Sequence, residues 1–190
     1  MPSLEPPVLL LAMPQVVDSF FLRSVILLVE HSAEGSLGFI VNRPTEIDIQ
    51  KILHGMEIDW NGVEREAFFG GPVQPQIGTV LCMNPLSDLS ADTATEVMPD
   101  LWLTHNISDL ESLSEQPPDR FRLLLGYAGW GAGQLVEEML RNDWLTAPVN
   151  PDLLFAADSE TVWDAALTSV GVEAATLPSW TAGSEDDPAN

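Results

Sequence analysis

The chain has 190 residues, 45% of them hydrophobic and six of them tryptophan, which is enough for one substantial core and excludes a disordered protein. Its 29 acidic residues against 7 basic ones give a formal net charge of −22. That balance excludes the basic arm or stripe with which nucleic-acid binders neutralise phosphates, and it disfavours an anionic membrane surface. The lone cysteine, Cys82, excludes an internal disulfide framework and suits a reducing cytoplasm.

Val8 to Ala12 reads as a first strand, closed by Met13-Pro14. It is too short to span a membrane, and no basic segment followed by an apolar stretch and a small-residue cleavage site marks a signal peptide. Ser24 to Glu30 is apolar almost throughout, which predicts a strand buried on both faces. His31 to Ser36 carries turn chemistry, and Leu37 to Asn42 reads as the returning strand of a hairpin, ended by Arg43-Pro44. Ile47 to Leu53 has the apolar spacing of a short helix.

Ala67 to Phe69 predicts a brief strand into Gly70-Gly71-Pro72, and Ile77 to Met83 another. The Asp, Ser, Thr and Pro of 84–99 suit a surface loop. Leu101 to Leu103 reads as a strand and Ile107 to Leu113 as a helix, broken by Pro117-Pro118. Arg120 and Arg122 follow on one face of a strand whose apolar run, Leu123 to Leu125, leads into glycines at 126, 129, 131 and 133. An acidic amphipathic helix, Gln134 to Asn142, comes directly after. Asp152 to Phe155 is a strand candidate. Ser159 can cap a helix running to Val170, stopped by Gly171. Strands and helices alternate irregularly, so the chain is α/β or α+β with a mixed sheet. One domain is expected over residues 4–178, followed by a disordered acidic tail over 179–190.

A strand, a glycine loop and a helix N-terminus form the local geometry that cradles anions in many proteins. The spacing G-x-x-G-x-G-x-G matches neither the P-loop nor the dinucleotide fingerprint, and no Lys follows. A tight turn that needs glycine for packing explains the same residues. Gly70-Gly71 is a second place where backbone or ligand can approach closely. Three histidines, His31, His54 and His105, are too scattered for a metal motif. Cys82 has no sequence partner, and Glu137 and Glu138 are explained by the helix dipole. No residue stands out as a catalyst and no cofactor is indicated. The acidity fits either attraction for a partner or solubility in a saline cytoplasm.

Several segments together resemble the AlgH family, also called YqgE-like. They are LLLAMPQVVDSFFLRSVILLVEH, EGSLGFIVNRP, FFGGPVQP and LLLGYAGWGAGQLVEEMLRNDWL, then LLF with a Trp-bearing helix, running from about Leu9 to Leu177. The family pattern falls on Met13, Pro14, Asp18, Phe21, His31, Gly38, Asn42, Arg43, Pro44, Gly70, Gly71, Pro72, Val73, Gly126, Tyr127, Gly129, Trp130, Gly133, Gln134, Leu135 and Trp144. The chain departs from it at Gln76 to Cys82 and, more mildly, at Thr104 to Asp109. The resemblance implies a single domain built on a strongly curved, barrel-like mixed sheet flanked by helices. It implies no catalytic residue, and members are commonly described as transcriptional regulators.

The expectation is a non-catalytic cytoplasmic protein that binds a small anionic ligand or a protein partner, with a regulatory role. The candidate ligand-binding residues are Asp18, His31, Asn42, Arg43, Gly70, Gly71, Gly126, Gly129, Trp130, Gly131, Gly133 and Gln134. The turns at Asn42 to Pro44, Gly70 to Pro72 and Gly126 to Gln134 are expected to converge on one face. The alternative is an enzyme acting on a small anionic or nucleotide-like substrate, with Asp18, His31, Asn42 and Arg43 as anchors. The sequence does not indicate an oligomeric state.

Overall fold

The computed structural model describes residues 4–85, 89–90 and 92–178; the tail expected over 179–190 lies outside them. The described residues form ten strands: β1 (Val8–Ala12), β2 (Val25–Ser32), β3 (Gly35–Ile40), β4 (Pro44–Asp48), β5 (Glu66–Phe69), β6 (Val73–Met83), β7 (Ala94–Met98), β8 (Leu101–Thr104), β9 (Phe121–Gly131) and β10 (Trp144–Ala147). Five helices accompany them: α1 (Ile49–His54), α2 (Ile107–Glu115), α3 (Gln134–Leu140), α4 (Pro151–Leu154) and α5 (Val162–Ser169). The strand order is β10-β1-β2-β3-β9-β6-β8-β7, with β5 beside the first half of β9 and β4 outside β5. Every pairing is antiparallel except β5 with β9, and the sheet curls into a half-barrel.

The all-apolar runs at the start of the chain follow from burial on both faces. Leu9 and Leu11 of β1, with Val25 and Leu27 of β2, pack into the core that α5 covers through Trp163 and Leu167. The alternate residues, Leu10, Ala12, Ile26 and Leu28, face a second core with Trp130, Leu135 and Trp144. A third core sits between α1 and α2 and the first half of β9, around Leu53, Leu113 and Phe121. Trp163 Nε1 donates to the Ala12 carbonyl at 2.8 Å, which ties α5 to the end of β1.

Three short strands exceed what periodicity indicates. β4 is an edge strand with Pro44 at its first position, where the missing N–H costs no ladder bond. β7 interrupts the stretch expected to be a loop over 84–99; its polar Thr95 and Glu96 suit an edge strand paired on one side only. β10 occupies the four residues after α3 and pairs with β1. The strand expected at Asp152 to Phe155 is instead the helical turn α4. Asn150 Oδ1 accepts from the Asp152 N–H at 2.9 Å, and Pro151 sits where the first helical turn tolerates it.

The largest revision concerns β9. The strand does not end at Leu125 but runs on through the glycines to Gly131, pairing with β3 from Gly35↔Gly131 to Gly38↔Ala128. Gly126 takes a φ of +71° and bends the strand, opposite a register shift in β6 between Val73 and Gly78. Glycine serves close backbone approach here: a Cβ on Gly70 would lie 2.3 Å from the Gly126 carbonyl oxygen, and one on Gly126 2.4 Å from that of Gly71.

The two arginines expected on one face of a strand act together. Arg120 pairs with Asp152, and Arg122 donates from Nε to the Leu154 carbonyl and from Nη2 to that of Ala156. Both therefore pin α4 to β9. Arg122 is 4% exposed, stacks 3.7 Å over the Phe68 ring, and burial pulls its pKa down to about 10.

Cys82 is fully buried, and burial, aided by Asp109, pushes its thiol up from 9.0 to about 12. The unfolded chain releases that proton near pH 9 while the folded chain retains it. The stabilisation is complete below pH 9 and is lost as pH rises toward 12, at about 1.4 kcal/mol per pH unit. We expect urea denaturation between pH 9 and 11 to show this slope, and Cys82→Ala to remove that component of it. Equal slopes for the two proteins would contradict the assignment.

Candidate functional site

Asn42 and Arg43 lie just after β3 and hold the 13–24 segment that joins β1 to β2. Asn42 Oδ1 accepts from the Val25 N–H at 2.8 Å, and Nδ2 donates to the Arg23 carbonyl at 3.0 Å. Arg43 donates from Nη1 to the Ser19 carbonyl (2.6 Å) and from Nη2 to that of Leu22 (2.7 Å). Asp18 makes the tight turn itself: Oδ1 accepts from the Phe20 N–H, and its carbonyl accepts from Phe21 and Leu22. Burial lowers the pKa of Arg43, and the nearby Asp18 partly offsets this. The segment is thus pre-set, with Val17, Phe20 and Leu22 exposed.

Two of the three turns meet, and the third does so at one end. The Phe69 N–H donates to the Arg43 carbonyl and the Gly70 N–H to that of Leu125, both at 2.8 Å. Asn42 to Pro44, Gly70 to Pro72 and Gly126 are therefore in backbone contact. Gly131 is five residues farther along β9, roughly 17 Å at strand rise. Its N–H is occupied by Gln134 Oε1 at 3.0 Å, so the amide an anion would need is satisfied within the chain. Gly133, with φ +74°, turns the chain into α3.

The side chains that line a shared cavity are a different set. A cleft of about 370 Å³ opens between the 13–24 segment and α3, lined by Asp18, Phe21, Gly129, Trp130, Gln134, Glu138, Arg141, Asp143 and Trp144, with Gln15, Val16 and Val17 at its edge. Glu138 organises it. Oε2 accepts from Trp130 Nε1 (2.9 Å) and Trp144 Nε1 (2.7 Å), and Oε1 accepts from Gln134 Nε2 (2.9 Å). The two indoles, 7% and 5% exposed, meet edge to face with centroids 6.0 Å apart, and Phe21 meets Trp144 the same way at 6.0 Å.

Comparison with known proteins agrees with this architecture. An AlgH-like family model matches residues 9–175. The chain belongs to the AlgH-like family. A UPF0301 protein of Shewanella loihica (strain ATCC BAA-1088 / PV-4) is 40% identical over 170 residues, covering 87% of this chain and 90% of the relative. A UPF0301 protein of Burkholderia vietnamiensis (strain G4 / LMG 22486) is 37% identical over 172 residues, covering 88% and 89%. The solution structure of the AlgH protein from Pseudomonas aeruginosa superposes with a TM-score of 0.73 at 32% identity, covering 91% of this chain and 94% of that one. The crystal structure of protein DIP2367 from Corynebacterium diphtheriae gives 0.70 at 26%, covering 87% of each.

Within this AlgH-like fold the expected site residues divide. Asp18, Gly129, Trp130 and Gln134 line the cleft. His31 lies on the other side of Gly129 and Trp130, in a broad groove of about 860 Å³, where its Nδ1 is 2.7 Å from Ser36 Oγ. Asn42 and Arg43 position the segment that carries Asp18. Gly70, Gly71 and Gly126 pack backbone on backbone, while Gly131 and Gly133 shape the turn into α3. Glu138 and Trp144 complete the cleft. The signal for Glu138 was its i, i+4 spacing from Gln134, a helical neighbour pair, but its indole partners come from two different strands. Among the described residues no three His, Cys, Asp or Glu side chains cluster in a way that could hold a metal ion, and no helix is long and apolar enough to cross a membrane.

Proposed function

We propose that this AlgH-like chain is a non-catalytic, cytoplasmic binding protein whose ligand seat is the cleft between the 13–24 segment and α3, with a regulatory output. The observation that carries this reading is the fixed Glu138: three N–H donors from β9, β10 and α3 hold one carboxylate in place at an aromatic wall. Such pre-organisation suits binding, because the side chains are ordered before a ligand arrives. Direct nucleic-acid binding has no support in the placement of the cations. Arg23 stacks on Trp163, Arg43, Arg65 and Arg122 donate to carbonyls, Arg120 pairs with Asp152, and Arg141 pairs with Asp143, which leaves Lys51.

The test is a fragment screen by NMR on isotopically labelled protein, following the indole N–H signals of Trp130 and Trp144. Binders at this cleft are expected to move both signals and to lose affinity in Val17→Trp, which fills the rim at an exposed position. Binders that move other signals and ignore Val17→Trp would refute the assignment. The second reading, an enzyme acting on a small substrate, draws on the His31–Ser36 pair, a base within reach of a hydroxyl. Ester or phosphoester turnover lost in Ser36→Ala with the fold intact would establish it.

A further inference from the structure

The inference deepens the binding reading above and rests on it: we propose that the cleft takes an organic cation, an ammonium or guanidinium head carried on an aliphatic stem. The sequence alone offered a small anionic ligand or a protein partner, whereas the geometry of this cleft suits a cation. Three carboxylates and one guanidinium line the cleft. Arg141 is committed to Asp143 through Nε (3.1 Å) and Nη2 (2.8 Å). Asp18 lies beside Arg43. Glu138 has only neutral donors, the two indoles and the Gln134 amide, and makes no ion pair, so its charge is held in position without a counter-ion.

The surroundings of that charge suit a cation. Phe21, Trp144 and Trp130 form a succession of rings, each close to perpendicular to the next at 85° and 82°. Rings set at right angles, with a carboxylate between the indoles, attract a cationic head through ring quadrupoles and fixed charge together. Val17, 62% exposed at the edge, offers an apolar surface for the stem. Of the chain's cations, five arginines are engaged outside the cleft, Arg141 within it is paired with Asp143, and Lys51 belongs to α1, which packs in the α1–α2 core. An incoming anion would meet Glu138, Asp18 and Asp143 with no free donor cation among the cleft residues. The net charge of −22 also draws cations toward the surface and repels anions.

The experiment titrates the full chain with choline and butylammonium, and with 3,3-dimethylbutan-1-ol and butan-1-ol as their neutral isosteres. Acetate and inorganic phosphate serve as anions, and Trp130 and Trp144 indole shifts are read by NMR. Saturable shifts with both cations, at least about tenfold tighter than the neutral isosteres, are expected. Glu138→Gln should abolish that preference while the remaining spectrum stays folded. Should that variant not fold, raising NaCl from about 20 to about 500 mM on the unmodified chain must weaken the cations several-fold and spare the neutral isosteres. Neutral probes that bind as tightly as the cations, or anions that bind in their place, would overturn the inference and leave the cleft a ligand seat. Indole signals unmoved by every probe would overturn both. A capped Ala-Lys-Ala peptide separates the sources: binding about tenfold tighter than butylammonium assigns the head to a protein side chain, and equal binding assigns it to a free amine.

Discussion

Gly71→Ala is expected to cost about 3 kcal/mol or more and to lower the melting temperature by roughly 6–12 °C. The added Cβ would lie 2.1 Å from the Tyr127 carbonyl carbon, 2.2 Å from its oxygen and 2.4 Å from the Ala128 nitrogen. All three are backbone atoms of β9, so relief requires moving the strand rather than a side chain. Gly70 and Gly126 face each other across the same contact, so Gly126→Ala should fall in the same range, with its φ of +71° adding strain. Gly133→Ala is the control. No atom lies within 4 Å of its Cβ position, and only the φ of +74° opposes the change, so a loss of about 1–2 kcal/mol is expected. Thermal unfolding of the three variants, followed by circular dichroism, measures this ordering. Wild-type-like stability of Gly71→Ala would mean that the β5–β9 backbone approach is not a constraint on the fold.

Arg43→Ala should release the 13–24 segment and, with it, one wall of the cleft. Two hydrogen bonds from a charged donor, to the Ser19 and Leu22 carbonyls, are removed together. At about 1.5–3 kcal/mol for each such bond the loss is roughly 3–6 kcal/mol, nearer the lower figure because both bonds are solvent-exposed, and it is concentrated in this segment. Hydrogen exchange should therefore accelerate at Phe21 and Leu22, whose N–H groups bond to Asp18, far more than at the β1–β2 pairs. Ligand affinity at the cleft should fall with it, because Asp18 and Phe21 lose their positions. The same variant would suggest a ligand-gripping arginine if only binding were measured, so the exchange data are decisive. Unchanged protection at Phe21 and Leu22 would remove the positioning role from Arg43. In the structure its donors point at carbonyls of its own chain.

Legibility in the sequence followed the range of the interactions involved. The strands β1, β2 and β3 and the hairpin between the last two are legible because continuous apolar runs and a polar turn are local signals, and the two faces of β1 and β2 feed different cores as a double-sided strand must. The helix after the glycines and the helix before Gly171 are legible for the same reason, although the latter starts after Thr161 rather than Ser159 and ends at Ser169. The Asn150-Pro151-Asp152 cap was as local a signal, yet its four-residue helix is short enough to read as a strand. β4, β7 and β10 are less legible because each is only four to five residues long and lies at an edge, where partners rather than propensity determine the conformation.

The glycine-rich stretch marks the boundary between the two kinds of information. From the residues alone, Gly126 to Gly133 fits an anion-binding loop as well as a packing constraint, since both need backbone without side chains. The pairing of β9 with β3, β5 and β6 supplies the packing reason at Gly126, by setting neighbouring backbone where a side chain would stand. Glu138 shows the converse. In sequence it is one acid among 29, suited to its helix, and only the i, i+4 spacing from Gln134 separates it from Glu137. The fold brings Trp130 from one strand and Trp144 from another onto the same carboxylate. By itself the sequence determined the family, the acidic character, the double-sided strands and the places where glycine is needed, because composition and short-range periodicity carry those directly. The tertiary structure alone decided which arginines are consumed by carbonyls and which carboxylate the two indoles hold, because both depend on contacts between residues far apart along the chain.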